Sequence, residues 1–131
     1  MTRFAGPQDS PGYLLWHATL RWQRQVTAAL APLGLTHVQF VLLACLSWLQ
    51  EQGREPNQLA LATQAGTDVT MTSQVLRALE RKGLVARRTD PVDTRAKTVR
   101  LTAAGSRLAR RALAVVEKGQ PALLDTITQP T

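Results

Sequence analysis

The chain has 131 residues, 44% of them hydrophobic, and a formal net charge of +7. This length and composition fit one domain with one real core and exclude disordered and low-complexity classes. The charge is concentrated: Arg77 to Arg111 holds eleven bases and three acids, a net +8, whereas the remainder holds five bases and six acids.

A basic segment of this kind is either a solvated face or an anion-binding surface. The longest apolar stretch, VQFVLLACLSWL at residues 38–49, is interrupted and falls short of the roughly 20 residues a membrane span needs. MTRFAGPQDSPG at the N-terminus lacks the continuous apolar core of a signal peptide. Cys45 is the single cysteine. No intramolecular disulfide can form, and a reducing cytoplasm is the expected compartment.

From Tyr13 to about Ala31, Leu15, Ala18, Trp22, Val26 and Ala29 recur at helical spacing. Trp16 and Leu20 begin a second apolar stripe, so this helix has two faces to bury. Pro32 and Gly34 end it, and Thr36 is the expected N-cap of a second helix to about Gln50. That helix is apolar on nearly all sides and is therefore expected to be central. A turn at residues 52–56 precedes a short third helix, NQLALATQAG, closed by Gly66.

The fourth helix is the most informative. With Thr70 at zero and 100° per residue, Ser73, Gln74, Arg77 and Arg81 fall at about 300°, 40°, 340° and 20°. Met71, Val75, Leu79 and Leu76 fall at about 100°, 140°, 180° and 240°. One face is apolar and core-directed; the other offers hydroxyls, an amide and two guanidiniums, with Glu80 off the arc. Such groups hydrogen-bond base edges and phosphates in a major groove, where Arg pairs with guanine and Gln with adenine. A solvated outer face is the bland alternative, although Glu and Lys usually dominate such faces.

After Lys82-Gly83, two β-patterned runs, LVARRT and TVRLT, flank DPVDTRAK at residues 90–97. Hairpin loops usually run to about 2–5 residues, so this loop is long enough to reach for something. A short third helix, a tight turn, a helix with a polar basic face and a following hairpin predict a winged helix-turn-helix. The fold class is mainly α with a small β-hairpin wing. Arg95 is the side chain expected to enter a minor groove, and Asp93 holds its guanidinium or folds the loop. Arg87, Arg88, Lys97 and Arg100 are expected phosphate contacts.

The run from Met71 to Gly105, through LERKGLVARR, Asp93-Thr94-Arg95-Ala96 and VRLTAAG, resembles the MarR family of bacterial winged-helix transcription regulators. A glycine after the recognition helix, Arg on the first wing strand, Asp-x-Arg in the wing and Leu-Thr-x-x-Gly opening the next helix occur in order, and the likeness spans essentially the whole chain. It departs from the family at Thr94, where many members carry a second Arg, and after Pro121, where the family continues a long helix.

The resemblance implies a homodimer on double-stranded DNA. Residues 13–34 would form an N-terminal dimerisation helix, 35–102 the DNA-binding lobe and 103–131 a C-terminal dimerisation helix. The apolar surplus of the first helix, and the stripe Leu101, Leu108, Ala112, Val115 and Val116, agree with pairing, although such stripes are more often plain intramolecular core. The family also implies a small, often aromatic or phenolic, effector between the dimerisation helices and the DNA-binding lobe. Trp16, His17, Cys45 and Trp48 are the candidates to line that cleft; in the alternative, the tryptophans and Cys45 are core and His17 is a surface or satisfied polar residue. No charged sequence neighbour activates Cys45.

No other class matches as well. His17 and His37 are not at metal-ligand spacing, and there is no Gly-rich phosphate loop and no G-x-S-x-G, so neither enzyme, metal nor cofactor is expected. A basic RNA-binding or architectural protein is the rival. Trp16, Trp22, Trp48, Tyr13 and Phe40 all lie outside the basic segment, which argues against base stacking.

Overall fold

In the computed structural model, which describes residues 3–120, side chains start all five α-helices at defined points. Ser10 caps α1 (Pro11–Leu30), accepting from the Tyr13 N–H, with Pro11 at the first helical position. The helix therefore begins two residues before the predicted Tyr13, because proline is pre-organised at that position and its missing N–H costs nothing there. Thr36 and Gln39 form a reciprocal capping box at the start of α2 (His37–Glu51). Asn57 caps α3 (Gln58–Ala65), Asp68 caps α4 (Val69–Arg81) and Thr102 caps α5 (Ala103–Glu117).

Strands β1 (Val85–Thr89) and β2 (Lys97–Leu101) pair antiparallel, from Val85 opposite Leu101 to Thr89 opposite Lys97. Lys97 thus belongs to the ladder, and the wing loop is 90–96. Leu101, expected on the stripe of the last helix, closes the ladder instead and faces the core. The residues before α3 add a partial third edge: the Val99 N–H donates to the Pro56 carbonyl at 2.9 Å, and Asn57 bridges Thr98. This edge was not expected from sequence, since one or two bridging residues leave no strand periodicity.

Helix α2 is central, as predicted. It contributes Leu42, Leu43, Leu46 and Leu49 to the core and packs against α1, α3, α4, α5 and β2. Leu30, Leu61, Leu76, Leu79 and Val99 close the cluster from the surrounding elements. Burial at roughly 25 cal/mol per Å² makes this cluster the main source of stability. On α1 the buried residues are Ala18, Val26 and Leu30, while Leu15 and Trp16 stay exposed. The Trp22 ring meets His37 edge-on at 4.9 Å, joining α1 to α2, and burial lowers the His37 pKa. Ala109, Ala112 and Val116 seat α5 against the core, and residues 121–131 of the expected C-terminal dimerisation helix lie outside the described residues.

The Leu-Thr-x-x-Gly signature has a steric basis. The Leu84 carbonyl accepts from the Thr102 N–H at 3.0 Å, and the Thr102 hydroxyl donates to the Gly83 carbonyl at 2.7 Å. The first turn of α5 therefore lies directly on the backbone that enters the hairpin. A Cβ at Gly105 would overlap the Leu84 carbonyl oxygen. Gly105→Ala should accordingly lower the unfolding free energy by about 1–3 kcal/mol, the usual cost of overpacking, with a lower urea midpoint as the readout.

Candidate nucleic-acid interface

A second device secures the N-terminus of α4. The Asp68 carboxylate accepts from the Met71 N–H at 2.9 Å, while the fully buried Thr72 donates to the Asp68 carbonyl at 2.7 Å and shares a 2.7 Å hydrogen bond with Thr67. Thr72, Leu76 and Leu79 are the buried residues of the helix. Met71, expected to face the core, is exposed instead: it lies at the edge of the apolar arc, whereas Thr72 lies between Leu79 and Leu76 at its centre, with its buried hydroxyl satisfied by two local partners. Thr70, Gln74, Arg77 and Arg81 are exposed and Ser73 is half-buried, so the predicted polar face is on the surface. An Arg77 guanidinium nitrogen lies 3.4 Å from the Ser73 hydroxyl, a loose contact that leaves its other donors available.

The wing loop is folded by its two aspartates. Asp90 Oδ1 accepts from the Val92 N–H at 2.8 Å, and Asp93 Oδ1 accepts from the Arg95 N–H at 3.1 Å, both Asx-type turns. The Ala96 N–H closes the loop onto the Asp93 carbonyl at 2.9 Å. Arg95 Nε lies 3.8 Å from Asp93 Oδ1, and the Arg95 side chain is 95% exposed. Asp93 therefore both folds the tip and faces the guanidinium, while Arg95 projects into solvent.

Arg87 and Arg88, predicted alike as phosphate contacts, behave differently because neighbouring strand residues point to opposite faces. Arg87 is turned inward, with its side chain 13% exposed. It donates to Gln58 Oε1 at 2.9 Å and to Glu80 Oε1 at 3.0 Å, and its buried Nε has no hydrogen-bond partner. Arg87 thus links β1, α3 and α4, and it also lines the cleft that these elements share. The same pair neutralises Glu80, the one acid of α4, whose carboxyl Arg87 holds below the usual glutamate range. Arg88 reaches Glu55 at 2.6 Å from the other face of the hairpin and remains largely exposed. Arg100 lines a separate cleft of about 330 Å³ with Arg54 and Glu55.

Three elements meet in a larger cleft of about 580 Å³. Ser73 and Arg77 come from α4, Asp93, Arg95 and Lys97 from the wing, and Asn57, Gln58 and Leu59 from the start of α3. The α3 residues were not anticipated. An N-cap asparagine and its neighbours carry no local signal of which distant face they will adjoin.

The four candidate effector residues are less united. Trp16 and Trp48 are exposed, and Cys45 is half-buried against the core with its thiol pKa pushed up by burial. His17 stacks at a tilt on Tyr13, 4.3 Å between centroids. None of the four lines either cleft described above. No group of three or more His, Cys, Asp or Glu among the described residues could hold a metal.

Comparison with known proteins bears directly on this arrangement. The family model described as "ArnR1-like, winged-helix domain" matches residues 33–118. The HTH-type transcriptional regulator YdcH of Bacillus subtilis is 44% identical over 117 residues, covering 89% of this chain and 80% of that protein. The HTH-type transcriptional repressor Rv2887 of Mycobacterium tuberculosis is 39% identical over 123 residues, 93% of this chain and 86% of the relative. This chain belongs to the MarR family of winged-helix transcriptional regulators.

Solved structures share the fold of this MarR-family chain. The transcriptional repressor CouR bound to a 23-mer DNA duplex superposes with a TM-score of 0.80 at 29% identity, covering 95% of this chain and 85% of that one. CouR from Rhodococcus jostii RHA1 bound to p-coumaroyl-CoA gives 0.78 at 29% identity, with 98% of both chains covered.

The Glu80–Arg87 pair generates a pH prediction. A carboxyl whose pKa is lowered by folding contributes stability that is present above its unfolded pKa and lost as pH falls through the folded value. Glu80→Gln should therefore flatten part of the acid-side fall in the urea midpoint between about pH 6 and pH 3. Because the carboxylate is substantially exposed, the effect will be small.

Proposed function

We propose that this regulator binds a pseudo-palindromic operator as a homodimer and represses transcription by occluding the promoter. The observation that carries the reading is the 580 Å³ cleft, in which a polar, basic helix face and a projecting wing arginine share one concave surface. Thr70, Ser73, Gln74 and Arg77 would meet base edges and Arg81 the backbone. Arg95, steadied by Asp93, would enter the adjacent minor groove, and Lys97 and Arg88 would contact phosphates. Arg87 would act indirectly, by holding the wing in place.

Exposed Tyr13, Leu15 and Trp16 on α1, which also packs against α5, support pairing through residues 13–34 and 103–131 around the 35–102 lobe. Two-fold symmetry would set half-sites roughly 10 base pairs apart. The p-coumaroyl-CoA held by CouR supports release by a small aromatic effector, with Trp16, His17, Cys45 and Trp48 as the residues to test first.

Selection from a randomised duplex library, followed by binding to the best site at two salt concentrations, tests the core of the proposal. An enriched inverted repeat and a steep loss of affinity with salt are expected. Salt-sensitive binding with no enriched sequence would favour the architectural or RNA-binding rival. On the selected site, Gln74→Ala should cost about 1–3 kcal/mol of discrimination at one base position. Arg95→Ala should weaken binding to all sequences while leaving the thermal midpoint unchanged, since that side chain is almost fully solvated. Equal losses on specific and random DNA for Gln74→Ala would refute its assigned role.

A further inference from the structure

Leu59, the second residue of α3, is 62% exposed in the wall of a cleft whose other lining residues, Ala96 aside, are polar or charged. The apolar side of α3 is satisfied by Leu61 and Ala62, which are buried, so Leu59 points away from the core. Its backbone is held on several sides. Asn57 caps the helix through the Ala60 N–H at 2.8 Å and bridges Thr98, Gln58 is bonded to Arg87, and the Thr63 hydroxyl donates to the Leu59 carbonyl at 3.1 Å.

An isobutyl group on this held backbone, in the cleft it shares with Ser73, Arg77 and Arg95, cannot bond a phosphate, and pressing it against one would strip water from the anion without compensation. Within a DNA-facing surface it is suited to base edges, where the apolar group offered in the major groove is the C5 methyl of thymine. We propose that Leu59 is a specificity-determining residue that reads one thymine methyl group in each half-site. This inference rests on the DNA-binding reading above, and it assigns a reader outside the recognition helix.

Replacing thymidine by deoxyuridine, one position at a time in the selected operator, removes the methyl and keeps the pairing edge. One symmetry-related position per half-site should then lose about three- to fivefold in affinity for the wild-type protein, the size expected for one buried methyl group. Leu59→Ala should bind the thymidine operator about as weakly as the wild type binds the deoxyuridine one, lose nothing further on deoxyuridine and keep its thermal midpoint. Leu59→Met should retain the sensitivity. Insensitivity at every position, or a loss that persists unchanged in Leu59→Ala, would overturn the proposal. Failure of the library to yield any operator would overturn the regulator reading itself, which is distinguishable from a selected operator indifferent to deoxyuridine.

Discussion

Arg87, held between Glu80 and Gln58, fixes the geometry on which the candidate interface depends. One guanidinium joins β1, α4 and the start of α3. A charge-assisted hydrogen bond contributes about 1.5–3 kcal/mol when well shielded, less where Glu80 meets solvent. Its more important effect is geometric. It fixes β1 against α3 and α4, on the opposite face of the hairpin from the Arg88–Glu55 pair. The pair also removes the acid of α4 from the field that a phosphate backbone would experience.

Two other contacts extend that rigidity to α1, α2 and α5. The close approach of Gly105 to the Leu84 carbonyl lets α5 lie on the base of the hairpin, where any Cβ would hold it off. Lys82, which ends α4, donates to the Gly34 carbonyl at 2.7 Å and to Gln39 Oε1 at 3.1 Å, and the same oxygen accepts from the Thr36 N–H. The end of α4 is thus tied to the corner between α1 and α2.

The interface divides its tasks by burial. Polar groups that stay exposed, Thr70, Gln74, Arg77 and Arg95, can exchange water for base edges or phosphates. Groups turned inward, Thr72 and Arg87, hold the first set in position. An exposed leucine within such a surface adds a third kind of contact, which needs no hydrogen bond and discriminates by a methyl group.

Much of this was legible in the chain itself because it depends on local rules. Caps at Thr36 and the break at Gly66, the central helix, the polar arc of α4 and the Asx-folded wing follow from helical period, capping chemistry and turn residues, all of which act within a few positions. The family signature added the order of these parts. What the chain could not show was pairing between residues distant in sequence. Arg87 and Arg88 look equivalent until strand alternation sends one to Glu80 and the other to Glu55. Met71, expected on the core-directed face, is exposed, while Thr72 is buried with partners at Thr67 and Asp68. Asn57, Gln58 and Leu59 joined the site only because the edge of β2 captured the residues before α3. Local periodicity determined which elements form and which faces are polar; long-range hydrogen bonds and close backbone approaches decided which of those polar groups remain free to act.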